Sequence, residues 1–152
     1  MELSRFKHRT TIRVRNYEVD WQGIVHNANY LLYFETARIE YLKNLGIVIN
    51  RDTIQNDSKV VLVRNEIDYR SPARFDDVLT VHTRISYIRN TSFCFEGMMM
   101  EQSGRPVAEN VAVHVWLDAK TGSPKTVSDG FRRKIQEFEG DGVAIVGPTL
   151  FT

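Results

Sequence analysis

Apolar and polar side chains roughly alternate from Phe6 to Tyr17. Phe6, Thr10, Ile12 and Val14 fall on one face and Lys7, Arg9, Arg13 and Arg15 on the other, which is the period of a half-buried strand. Beyond this strand the period changes. From about Ala28 to Leu45 the residues Tyr30, Leu31, Leu32, Tyr33, Phe34, Ala37, Ile39, Tyr41, Leu42 and Leu45 cover most of a helix. Only Thr36, Glu40, Lys43 and Asn44 form a polar stripe, and Gly46 supplies a C-terminal stop. A helix this apolar has to be wrapped by other structure.

A polar loop, "NRDTIQNDSK", separates the helix from four strand-like segments at about 59–70, 78–88, 92–101 and 106–118. Val107, Val111, Val113, Val115 and Leu117 alternate most regularly, and "EQSGRP" reads as the hairpin turn between the last two segments. Short connections imply antiparallel neighbours. "DAKTGSP" turns the chain into a final short helix near Val127–Glu139, and the Gly-rich "GDGVAIVGPTLFT" reads as a loosely packed tail from about residue 140 to 152. One strand, one apolar helix and four antiparallel strands bury that helix only if the sheet curls around it. The expectation is therefore an α+β hotdog fold, with about five strands around one long central helix and a short C-terminal helix, in a single domain spanning residues 1–152.

Composition narrows the function. At 152 residues and 42% hydrophobic the chain suffices for one cored domain. Lys and Arg number 20 against 19 for Asp and Glu, a net charge of +1 that offers no field for nucleic acid or anionic lipid. The one cysteine, Cys94 in "SFCFEG", cannot form an internal disulfide and reads as a small buried hydrophobe, which points to a reducing cytoplasm. "MELSRFKHRT" has no apolar export region and no run approaches a membrane span, so a soluble, unexported protein is expected. His8, His26, His82 and His114 lie in separate elements without metal-ligand spacing, and neither a Gly-x-Ser-x-Gly elbow nor a glycine-rich phosphate loop occurs. No metal and no cofactor is expected.

Chemistry gathers instead in "EVDWQGIVHNANYLLYFETAR". Asp20 falls in the turn just before the apolar helix, where unpaired N–H groups and the positive end of the helix dipole favour anions and developing negative charge. An oxyanion hole is built in this way. Gly23 permits a tight turn or close ligand approach, and the N–H of Asn27 falls at or near the helix start, so a thioester carbonyl could dock there facing Asp20. Spacing alone favours Asp20 as a loop or capping residue, because Asp before a helix is commonplace.

The stretch "YEVDWQGIVHNANYLLYFETARIEYL" resembles the signature of the 4-hydroxybenzoyl-CoA thioesterase family, in its acyl-CoA thioester hydrolase branch: Asp-x-x-Gly-x-Val-x-x-x-x-Tyr, then an aromatic-rich helix with Glu-x-Ala-Arg. "IDYRSPARFDDVL", "NTSFCFE" and "WLDAKTGSPK" are similar to three further family turns, in the same order along residues 13 to about 125. The resemblance implies an acyl-CoA thioesterase with the family's catalytic aspartate at Asp20. That aspartate acts either as nucleophile, through a mixed anhydride, or as general base on water. The oxyanion donor maps to the backbone N–H of Asn27. Many members of the branch carry His or Tyr at this position, whereas here the histidine is His26, which lines the acyl pocket or faces solvent. The resemblance also implies homodimers, often paired into homotetramers, with acyl-CoA as the partner molecule.

Other candidates carry two readings each. Glu35 is either an ion-pair partner of Arg38 or a polar group at the far end of the acyl pocket, with Tyr30 among the aromatic lining. Thr91 and Ser92 either offer hydroxyls near the thioester or satisfy a hairpin turn. Arg70, Arg74, Arg89 and Lys125 are candidates for the phosphates of coenzyme A, or solvated surface charges. The competing functions are a non-catalytic acyl or protein binding module on this fold and a hotdog dehydratase. Asp20 together with Gly23 favours the hydrolase.

Overall fold

The computed structural model describes residues 1–47 and 58–146. Its strands are β1 (His8–Arg13), β2 (Ser58–Tyr69), β3 (Val78–Ile88), β4 (Ser92–Glu101), β5 (Pro106–Asp118) and β6 (Ala144–Ile145); its helices are α1 (Asn27–Asn44) and α2 (Asp129–Glu139). The sheet runs β1-β3-β4-β5-β2, with β1 antiparallel to β3 in the register His8↔Thr83 to Arg13↔Val78. This is the α+β hotdog arrangement that the element order implies. The two-residue β6 joins it in parallel on β3, at Tyr87↔Ala144 and Ile88↔Ile145. Residues 140–146 thus form a 3-10 turn and a strand where the sequence reads as a loose tail. Most of the polar loop and residues 147–152 of that tail lie outside the described residues.

Strand β1 begins and ends inside the stretch that alternation suggests, because a short 3-10 turn precedes it and another, Asn16–Glu18, follows it. Its burial alternates residue by residue. The chain divides into two compact units, one of Met1–Tyr41, Glu66–Arg84 and Gly97–Asn110, the other of Leu42–Asn65, Ile85–Glu96 and Val111–Thr152.

In the first unit α1 contributes Tyr30, Tyr33, Phe34 and Ala37 to a core with Leu79, Val81, Met99 and Val107. Full burial stabilises such a side chain by roughly 1.5–3 kcal/mol. Gly97 of β4 lies so close to α1 that a Cβ there would meet the Phe34 ring at 2.8 Å. One expectation fails on this helix: Leu32 is 55% and Ile39 50% exposed. They are seven residues apart, two turns along one stripe that also holds the exposed Thr36 and Lys43. The first unit's core covers α1 on its other faces and leaves that stripe open.

In the second unit Phe93 packs against Phe131 at 4.8 Å and stacks on His114 at 5.3 Å. Ser128 caps α2 by accepting from the Phe131 N–H at 3.2 Å. The buried Arg132 guanidinium donates to four carbonyls, those of Arg89, Asn90, Val127 and Val146. Cys94 is buried, as its apolar setting suggested, and burial pushes its thiol pKa up.

Candidate active site

A tight turn carries Asp20. Val19 and Val25 bridge across it, the Asp20 N–H donates to Ile24 O at 2.8 Å, and the Gly23 N–H donates to Asp20 O at 3.0 Å. Gly23 has φ of 81°, which a residue with a Cβ adopts only at a cost. The carboxylate takes part as well: Oδ1 accepts from the Gln22 N–H at 2.8 Å. Oδ2 has no hydrogen-bond partner among the described residues. The turn is strapped to the segment before β3 by the Ile24↔Arg74 bridge and by the Val25 N–H, which donates to Ala73 O at 2.8 Å.

Helix α1 starts immediately after this strap. Glu18 O accepts both the His26 N–H at 3.0 Å and the Asn29 side-chain amide at 2.8 Å. His26 is the cap, its Nδ1 accepting from the Ala28 N–H at 3.1 Å and its carbonyl from the Asn29 N–H at 2.9 Å. The N–H of Asn27 has no partner among the described residues.

The opposite wall comes from the end of β2 and the turn after it. Tyr69 donates its hydroxyl to Asn27 O at 3.0 Å, and its ring meets Tyr30 edge-on at 5.5 Å. Tyr30 is itself fixed, its hydroxyl accepting from the Ala73 N–H at 3.0 Å. Burial pushes the Tyr30 phenol up, with the Asp20 charge among the smaller contributions. The Arg105 guanidinium donates to Ser71 Oγ and Pro72 O, and the N–H groups of Arg70 and Ser71 share Val107 O. Between the walls lies an open cleft of about 600 Å³, lined by Asp20, Ile24, Val25, His26 and Asn27 on one side and Tyr30, Tyr69, Arg70, Ser71 and Pro72 on the other.

Of the candidates read from sequence, Asp20, His26, Asn27, Tyr30 and Arg70 line this cleft and Gly23 shapes the turn beside it. Arg70 also pairs with Glu109 at 3.2 Å. Arg74 is exposed and outside the lining. Glu35 is exposed on α1, and the ion pair with Arg38 that their spacing suggests is replaced. Arg38 is buried and donates to Asn110 Oδ1 at 3.1 Å, while Glu35 acts on it only as a nearby charge. Thr91, Ser92, Arg89 and Lys125 belong to the second unit. There Thr91 O accepts from the Trp116 N–H, Ser92 O accepts from the Arg89 N–H, Arg89 lies over the Tyr87 ring, and Lys125 Nζ donates to Ser58 Oγ at 3.4 Å. None of them lines the cleft. Tyr69, Ser71 and Pro72 do, and were not singled out as site residues; their signal was the "IDYRSPARFDDVL" stretch itself. Among the described residues no group of three or more His, Cys, Asp or Glu could hold a metal ion, and no helix is long and apolar enough to cross a membrane.

Comparison with known proteins points the same way. The long-chain acyl-CoA thioesterase FadM of Escherichia coli (strain K12) is 29% identical over 133 residues, covering 84% of this chain and 96% of its own. The chloroplastic acyl-acyl carrier protein thioesterase ATL3 of Arabidopsis thaliana is 30% identical over 138 residues, covering 90% of this chain and 70% of its own. A thioesterase from Thermus thermophilus, solved as a complex with coenzyme A and Zn, superposes with a TM-score of 0.76 at 29% identity, over 91% of this chain and 98% of that one. Residues 14–135, from the end of β1 into α2, match the family as a whole, and the chain belongs to the thioesterase-like superfamily.

Proposed function

We propose that this protein is an acyl-CoA thioesterase, releasing a free carboxylic acid and coenzyme A, with Asp20 and the Asn27 N–H as the reacting pair. The observation that carries this reading is their position on one cleft, each with a free valence: Oδ2 of Asp20 and the N–H of Asn27. The thioester carbonyl oxygen accepts from the Asn27 N–H, where the helix dipole adds to the stabilisation of the oxyanion. Asp20 then completes the chemistry in one of two ways. Its Oδ2 attacks the carbonyl carbon, the C–S bond breaks and the thiolate leaves, giving a mixed anhydride that water hydrolyses. Alternatively it takes a proton from a water that attacks directly. In this reading Arg70, which lines the cleft wall, meets an anionic group of the coenzyme A arm.

The two named relatives act on different carriers, coenzyme A in one and acyl carrier protein in the other. A panel of short, long and aromatic acyl-CoAs, with the matching carrier-protein thioesters, tests the reading. Hydrolysis of at least one acyl-CoA above the uncatalysed rate is the expected result, and turnover of carrier-protein thioesters alone would move the substrate to that carrier. Failure with every thioester would overturn the reading.

The assembly is proposed to be a homodimer or a dimer of dimers. Strand β2 ends the sheet order among the described residues and carries Leu62 and Val63 at 46% and 56% exposure, an edge of the kind that invites a second copy. The stripe of Leu32 and Ile39 on α1 adds apolar surface. Light scattering at low micromolar concentration should give at least twice 17.6 kDa. An active monomer would sink the assembly. A reducing cytoplasm suits the buried, unpaired Cys94.

A further inference from the structure

The first N–H groups of a helix have no carbonyl of their own helix to bond, and in α1 they are served unequally. His26 takes two of them, the Ala28 N–H on Nδ1 at 3.1 Å and the Asn29 N–H on its carbonyl at 2.9 Å. The Asn27 N–H stays open among the described residues. An imidazole nitrogen accepts a hydrogen bond only when it carries no proton. The cap therefore fixes His26 as the neutral ring with its proton on Nε2. A second proton would set donor against donor at Nδ1 and place positive charge at the positive end of the helix dipole.

From this geometry we propose that His26 is a positioning residue of the thioester site: its neutral ring caps α1 so that the Asn27 N–H alone is left for the substrate carbonyl, and protonating the ring dismantles that arrangement. The proposal rests on the reading of Asp20 and Asn27 as the reacting pair. The rest of the helix start is held by other groups: Glu18 O grips the His26 N–H and the Asn29 amide, and the Tyr69 hydroxyl grips Asn27 O. The cap is the contact that one proton removes. Charged and titratable groups around it are Glu18 and Asp20 on the preceding turn, Tyr30 on α1, and Tyr69 and Arg70 at the end of β2.

The test compares the full-length parent with His26→Ala, which loses the cap, and His26→Asn, whose side-chain oxygen accepts the same bond and does not titrate. With the best acyl-CoA, kcat of His26→Ala should fall about tenfold, below the roughly 10²–10³ lost with a whole oxyanion donor, while KM stays within about threefold. His26→Asn should recover most of that loss. A His26→Ala enzyme with parental kcat, or a His26→Asn enzyme no faster than His26→Ala, overturns the proposal. Nitrogen-15 NMR of the imidazole gives a readout independent of turnover: Nδ1 bare and Nε2 protonated at neutral pH is expected, and a protonated Nδ1 refutes the cap. If Asp20→Asn hydrolyses thioesters like the parent, the reacting pair is lost, and the positioning role falls with it even where NMR finds the cap.

Discussion

The hydroxyl of Tyr69 donates to the carbonyl of Asn27 across 3.0 Å, joining the last residue of β2 to the first residue of α1. The tie sets the distance between the two walls of the cleft and holds the peptide that follows the open N–H. Tyr69→Phe keeps the ring against Tyr30 and loses only this bond. The expected result is a fall in kcat of about threefold to tenfold with little change in KM, since a neutral hydrogen bond contributes about 0.5–1.5 kcal/mol net. Steady-state kinetics on the best acyl-CoA decide it; a change in KM alone would mean that Tyr69 holds substrate rather than helix.

Asp20→Asn is nearly isosteric and can still accept from the Gln22 N–H, but it lacks the charge for attack or base action. Hydrolysis should fall by about 10² or more, the low end of what a positioned acid or base contributes. Thermal melts and sizing should match the parent. Turnover within a few-fold of the parent would leave Asp20 as a turn residue.

Gly97→Ala tests how close β4 lies to α1. The new methyl would sit 2.8 Å and 2.9 Å from two carbons of the buried Phe34 ring, so one of the two must shift. Overpacking of this kind costs about 1–3 kcal/mol. Chemical denaturation should show a lower midpoint at an unchanged slope. Pairing it with Phe34→Leu should recover part of the loss.

Acid should weaken the fold through two histidines. Burial lowers the pKa of His8, partly offset by the Glu40 charge, and burial with the Arg9 charge lowers that of His82, both from a usual value of 6.5. Below 6.5 the unfolded chain binds protons that the folded one refuses, so stability falls as pH drops through 6.5 toward the depressed folded values. Melting temperatures measured at neutral pH and at about pH 5.5 should show the decline, and His82→Asn should flatten it. A melting temperature that holds constant across that window would refute the assignment.

Ser128→Ala removes the oxygen that accepts the Phe131 N–H at 3.2 Å at the start of α2. A loss of about 1 kcal/mol is expected, the usual cost of an N-cap. Equilibrium denaturation gives the value directly, and a change near zero would show that the backbone alone holds the helix start.

How far the sequence led depends on which forces act locally. Strands β2 to β5 and both helices follow from side-chain period and turn chemistry, and their ends agree with the sequence reading to within a residue or two. The Asp20 turn was legible because Gly23 and the helix behind it leave few alternatives. Other features depend on partners distant in sequence. Arg38 abandons Glu35, three residues away, for Asn110, which lies 72 residues on. The Nδ1 bond of His26 depends on a side-chain rotamer, which no spacing encodes. Leu32 and Ile39 read as core because apolar character says that a residue can be covered, not that this chain alone covers it.

The four carbonyls gathered by Arg132 have a consequence for biosynthesis. Those of Arg89 and Asn90 close the turn between β3 and β4, Val127 lies just before α2, and Val146 follows β6. A ribosome delivers these groups in order, so the turn emerges long before the guanidinium that satisfies it, and the last acceptor comes later still. Until then Arg89 O must be served by water, as must Asn90 O until the Val127 N–H reaches it. The second unit therefore reaches its native hydrogen bonding only after Val146 has left the exit tunnel, and a nascent chain stalled within α2 would present the β3–β4 turn incomplete to whatever chaperone or protease meets it first.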